Sequence, residues 1–133
     1  MISKNHIVLK WILYLTAVHS FFVGIGLIFI TDELRQLLGF MPSNEQFFQT
    51  QGGVFHIIMS IAYFLGAYNY TKYRVLICFS IIVKLCATIF LTTYYITINS
   101  SLLILSSALS DFLMFLLILF YYNKTKKEQI KNN

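Results

Sequence analysis

Charge, proline and cysteine are all scarce in this chain. Only 11% of its 133 residues are charged and 58% are apolar, against about 25% charged and roughly 45–50% apolar in a soluble domain. A soluble globular fold is excluded. One proline and six glycines exclude collagen-like chains and proline- and glycine-rich disordered ones. Two cysteines, Cys78 and Cys86, are too few for a disulfide framework. On one helix they stand about 12 Å apart, too far to bridge, and their expected role is packing. Cysteine pairs for thiol exchange, phosphate-binding glycine loops, nucleophile elbows and zinc-protease motifs are lacking too. The net charge of +5 carries no nucleic-acid reading, because its basic residues are not set in a soluble fold. What is left is an integral membrane protein whose first partner is the lipid bilayer.

Crossing roughly 30 Å of hydrocarbon takes about 20 mostly apolar residues in a helix. Four stretches qualify: residues 7–30, 47–69, 73–97 and 101–122, followed by a basic tail over 123–133. The first is too long for the apolar part of a cleaved signal and no small-x-small site precedes Thr31, so it reads as a retained signal anchor. The chain is expected to form a single four-span membrane domain, 1–133, of the all-α class: a four-helix bundle with a short amphipathic segment between its first two spans.

Charge sets the threading. Lys4 and Lys10, then Lys72 and Arg74, then Lys124, Lys126, Lys127 and Lys131 all fall on one side of a four-span arrangement. The first connection, with Asp32, Glu33, Arg35 and Glu45, is net acidic, and the third, around Asn99 and Ser100, is uncharged. Lysine and arginine excess marks the cytoplasmic side, so both termini are expected there. Tyr68, Tyr70, Tyr73, Tyr121 and Tyr122 cluster at that interface, and Tyr94 and Tyr95 near the other, as amphipathic rings do.

The first connection has features of its own. Thr31 can cap a short helix whose acids Asp32 and Glu33 suit the positive end of its dipole. Leu34, Leu37, Leu38, Phe40 and Met41 give an apolar stripe, Gly39 is a stop, Pro42 breaks the chain and Ser43 or Asn44 can cap the next helix. Such a segment lies flat at the interface as a re-entry device, or folds over the mouth of the bundle as a lid.

Of the fifteen charged residues, thirteen fall at interfaces or in connections, and the two exceptions are Lys84 and Asp111. Each is destabilising by several kcal/mol in hydrocarbon unless paired or hydrated, which makes such residues functional candidates. Counting inward at about 1.5 Å per residue places both roughly 16 Å from the same interface, on antiparallel neighbours, so they can pair. His19 and His56 fall about 18 and 20 Å deep. Each span thus carries one ionisable residue within a band about 4 Å thick. The faces around them are coherent: Thr16, His19, Ser20 and Val23; Gln49, Gly52, Gly53, His56, Ser60 and Tyr63; Ser80, Lys84, Ala87, Thr88 and Tyr95; Ser107, Ala108, Asp111 and Phe115. Small and hydroxylated residues gather where membrane helices meet, so these stripes are the expected interior. The candidate site is His19, His56, Lys84 and Asp111, with Gln49, Ser60, Tyr63, Thr88 and Ser107.

Four chemistries suit this band. An ion pair can fix helix register and bind nothing. A pocket walled by Phe21, Phe22, Phe55 and Tyr63 can take a quinone, a sterol-like molecule or another amphiphile. Intramembrane Asp, Lys and His can support proton or solute movement. His19 and His56 at matched depth can hold a haem or a metal, although neither belongs to a short metal-ligand motif. No cofactor is required by any motif.

With this layout in hand, the chain resembles the DoxX-like group of small bacterial four-helix membrane proteins. The resemblance rests on the amphipathic connection, the glycine pair opening the second span in FFQTQGG (Phe47 to Gly53), and a single acid amid small residues in the fourth, Ser106, Ser107, Ser110 and Asp111. It implies a protein of the cytoplasmic membrane of a prokaryote, and some members are accessory subunits of quinone-linked oxidoreductases. The expected function is that of an accessory, structural or binding subunit with a mid-membrane polar core. A small-molecule binder or small transporter using the same core is the alternative. A membrane protein or a second copy of the chain can serve as partner. An absorption spectrum of the purified protein is expected to show no Soret band, and one would establish haem. Native mass spectrometry reads the oligomer and any retained lipid or quinone.

Overall fold

The computed structural model describes residues 4–40 and 45–132. Among these it forms five helices: α1 Lys4–Phe29, α2 Asp32–Leu37, α3 Phe47–Tyr68, α4 Arg74–Thr97 and α5 Leu102–Asn132. All but α2 are long and apolar enough to cross a membrane. The expected stripe residue Met41, the break at Pro42 and the caps at Ser43 or Asn44 lie outside the described residues. The four long helices close a ring in the order α1, α3, α4, α5, with the most extensive packing between α1 and α3 and between α4 and α5. Their outward faces leave Leu15, Phe22, Val75, Ile96 and Leu113 exposed. In hydrocarbon those faces need no protein cover, and the helices satisfy their own backbone groups.

Close approach holds the α1–α3 pair. Gly24 and Gly53 face each other, and a Cβ added to either would stand 2.7 Å from the other's carbonyl oxygen. Gln49 adds a clamp nearby, its Nε2 donating to the Leu27 carbonyl at 2.8 Å. Of the two glycines that open α3, Gly53 makes the crossing. A Cβ on Gly52 would only touch Leu27 at 4.0 Å.

The interior changes character along its length. The apolar core, Leu9, Leu13, Ala67, Tyr70, Ile77 and Ile118, fills the end that holds both termini and the α3–α4 connection. That connection is a tight turn in which Asn69 Oδ1 accepts from the Lys72 backbone N–H and the Thr71 hydroxyl, both at 3.0 Å. Tyr70, in this turn, is buried against the protein at 4% exposed. The His6 ring stands edge-on to it with centroids 5.3 Å apart, and the Arg74 guanidinium lies 5.6 Å from its centroid. The turn that follows α3 folds this ring back under the bundle.

The basic tail continues α5 without a break to Asn132. At about 1.5 Å per residue the helix is roughly 46 Å long, well beyond the hydrocarbon thickness. Its extension is held by neighbours: Arg74 donates to Gln129 Oε1 at 2.9 Å, the Asn5 amide to Glu128, and Thr125 is buried. The cysteines do not pack inside as expected. Both are exposed, with Cys78 Sγ donating to the Tyr122 hydroxyl at 3.2 Å.

At the opposite end α2 forms as the sequence implied. The Leu34 N–H donates to Thr31 Oγ1 at 3.3 Å, and hydrogen bonding to Thr31 holds the Glu33 carboxyl below its ordinary range. Gly39, with φ +84°, closes the helix in a Schellman arrangement: Phe40 N–H to Arg35 O and Gly39 N–H to Gln36 O, both 3.0 Å. The segment is then tied across the bundle, Ser101 Oγ donating to Leu38 O at 2.8 Å and Asn99 Nδ2 to Gly39 O at 3.2 Å.

Thermal unfolding in detergent tests the crossing. Gly24→Val or Gly53→Val is expected to destabilise by about 1–3 kcal/mol through overpacking. Gly26→Ala, whose Cβ meets nothing within 4 Å, is expected to stay within about 0.5 kcal/mol of the parent.

Candidate functional site

Lys84 on α4 and Asp111 on α5 form a direct ion pair, 2% and 7% exposed. The α4–α5 hairpin brings them together because both lie at the same depth on facing stripes. The ammonium also lies 5.6 Å from the centroid of Tyr63, itself 1% exposed, so its remaining side rests on an aromatic face. The pair therefore has the direct contact and supporting partner that a buried charge requires.

Around it, hydroxyls are committed to nearby backbone. Thr88 Oγ1 donates to Lys84 O at 2.8 Å, Ser60 Oγ to Ile57 O at 2.6 Å, Ser80 Oγ to Leu76 O at 2.6 Å and Thr16 Oγ1 to Ile12 O at 2.8 Å. Gln49, Ser60 and Thr88, three of the expected site residues, are thus occupied within or between helices. Lys84 and Tyr63 sit behind Asp111.

The remaining four expected residues meet at one place. His19, His56, Ser107 and Asp111 all line a cavity of about 420 Å³ on the α2 side of the ion pair. They form its inner end. From there its walls are apolar, with Val23 and Leu27 on α1, Ala87 and Leu91 on α4, and Leu103 and Ile104 on α5. From His19 to Leu27 the helix rises about 12 Å, which gives the depth. Phe40, from the tied segment after α2, lines the cavity together with Tyr94. The connection, for which the sequence left both a re-entry device and a lid open, therefore has one side chain in the cavity wall. Phe90 lines the cavity and is also 63% exposed, so the space reaches the outer surface of the bundle at this ring.

The aromatic walls expected from sequence are elsewhere. Phe21, Phe22 and Phe55 are 44%, 66% and 58% exposed, and Phe21 and Phe22 lie against each other with centroids 5.8 Å apart. The reason is angular. The buried side of α1 runs through Leu13, Ala17, Ser20 and Gly24, and at about 100° per residue Phe22 falls opposite it and Phe21 beyond its edge, while Phe55 stands about 100° round from His56 on α3. Ser20 adjoins the site although it was not among the expected site residues: it is 1% exposed, and its Oγ donates to the His56 carbonyl oxygen on α3 at 2.9 Å. Its place beside His19 on a polar stripe was the available signal. Among the described residues no group of three or more His, Cys, Asp or Glu side chains is arranged to hold a metal ion.

No family model, curated protein or solved structure matches this chain. The class defined by fold and site is a multi-pass helical membrane protein with a polar-floored cavity, and the DoxX-like resemblance rests on its sequence motifs alone.

Asp111→Ala, which leaves Lys84 buried without its partner, is expected to lower stability by about 3–5 kcal/mol. The double variant Lys84→Met with Asp111→Leu is expected to be milder, and thermal unfolding in detergent compares the two. Equal losses would show that the charges do not depend on each other.

Proposed function

We propose that this protein binds a small membrane amphiphile, in the manner of a binding or accessory subunit, with the ligand's head at the His19, His56, Ser107 and Asp111 floor and its tail between the apolar walls. One observation carries this reading: polar groups line the inner end of a cavity whose sides are apolar. A polar core with a purely structural role closes on itself, as Gln49, Ser60 and Thr88 do. The floor groups instead face open volume. An amphiphile suits both parts, since its tail matches the walls and its head the floor. The distribution of lysine and arginine supports termini on the cytoplasmic side, and the cavity then lies toward the opposite leaflet.

Photolabelling of the protein in phospholipid vesicles tests this. A decan-1-ol carrying a diazirine in its chain is expected to label the segments around Leu91 and Ile104. Ala87→Phe, which fills the cavity with a ring, is expected to lower that labelling about tenfold, the ratio given by about 1.4 kcal/mol of lost affinity. Labelling confined to outward residues such as Phe22 and Leu113, or unchanged by the substitution, would overturn the reading.

A further inference from the structure

The hydrogen bonding of His56 narrows the chemistry of the ligand's head. Ser20 Oγ donates to the His56 carbonyl oxygen at 2.9 Å and also stands 3.3 Å from His56 Nδ1. A hydroxyl has one hydrogen, and here the carbonyl takes it. Contact with Nδ1 is then favourable only if Nδ1 carries a proton and donates to the serine oxygen; an unprotonated Nδ1 would set lone pair against lone pair. In a neutral imidazole with Nδ1 protonated, Nε2 is an acceptor. His56 lines the cavity, and its Nε2 has no hydrogen-bond partner among the described residues.

Other groups on the floor complete the pattern. Lys84 takes Oδ1 of Asp111; its other oxygen has no hydrogen bond among the described residues. His19 lines the same space with a ring that, when neutral, offers one donor and one acceptor. Charge at this level cancels, because Lys84 and Asp111 are opposed and in contact. A charged head entering here would lose its hydration without meeting a free counter-charge.

Resting on the binding function proposed above, we infer that the cavity selects an uncharged, hydroxyl-headed amphiphile whose O–H donates to His56 Nε2. The hydroxyl oxygen can accept from His19 in return. Ser20 is a positioning residue: it acts on the ligand only by fixing which nitrogen of His56 bears the proton. An ether-headed amphiphile of similar tail lacks the donor and leaves Nε2 without a partner, and an ammonium or carboxylate head brings the charge the floor does not balance.

Two measurements on the intact protein test this. Nitrogen-15 NMR of histidine-labelled protein in vesicles is expected to show His56 protonated at Nδ1 and not at Nε2. Competition against the diazirine decanol, at equal mole fractions in the membrane, is expected to rank decan-1-ol about tenfold above decyl methyl ether, the loss associated with one unpaired buried acceptor. Decylammonium and decanoate are expected to compete no better than the ether. In Ser20→Ala the His56 tautomers are expected to mix and the preference for the alcohol to shrink. An Nε2-protonated His56 in the parent protein, equal competition by alcohol and ether, or a preference untouched by Ser20→Ala would overturn the inference while leaving the cavity a binding site. Absence of cavity labelling by the diazirine probe itself would instead overturn the binding function.

Discussion

One lysine and one aspartate, face to face where lipid surrounds the helices, constrain the rest of the bundle. Neither charge is stable alone at that depth, and their contact fixes the rotation and register of α4 against α5. With Asp111 turned inward, Ser107 one helical turn away shares its side, as residues four apart on a helix do. With Lys84 turned inward, its ammonium reaches Tyr63 and so brings α3 against α4. A single electrostatic requirement thus orients side chains on three of the four long helices.

The bundle divides at this level. Toward the termini, aliphatic residues and Tyr70 fill the centre, and the extended α5 adds polar ties to α1 and α4. Toward α2 the centre is hollow. The glycine crossing contributes to that asymmetry, since α3 is drawn onto α1 at Gly24 and Gly53. In contrast, Gly66 on α3 meets Ile77 of α4 near the other end. A solid half and a hollow half, separated by the polar layer, are what give the cavity a floor.

The spans, the ion pair and the common depth of His19 and His56 were legible because they follow from one-dimensional quantities: apolar length, rise per residue and helical period. Other features depend on how helices lean and on which ones touch. Nothing in the local sequence separates Gly52 from Gly53, yet one makes the crossing and its neighbour does not. Phe21 and Phe22 lie close to His19 along the chain, but rotation about the axis sends them outward. The tail after Tyr122 is polar enough to read as a solvated end. It remains helical where Glu128 and Gln129 find Asn5 and Arg74, partners more than fifty positions away in the chain. The hydroxyls show the same limit. Sequence placed Ser20, Ser60 and Thr88 on interior stripes, and only geometry distinguishes the one that bonds across to another helix from the two that bond to carbonyls of their own helix.

The brevity of the link between α4 and α5 bears on how the protein enters a membrane. Lys84 and Asp111 are 27 positions apart, and a ribosome adding about 5–20 residues per second covers that interval in roughly 1–5 s. During it, α4 presents an unmatched ammonium worth about 2.5–3.5 kcal/mol against insertion at a helix centre. That penalty is relieved only when α5 follows and brings Asp111 to the same depth. The two spans then behave as one insertion unit, a hairpin whose second arm neutralises the first.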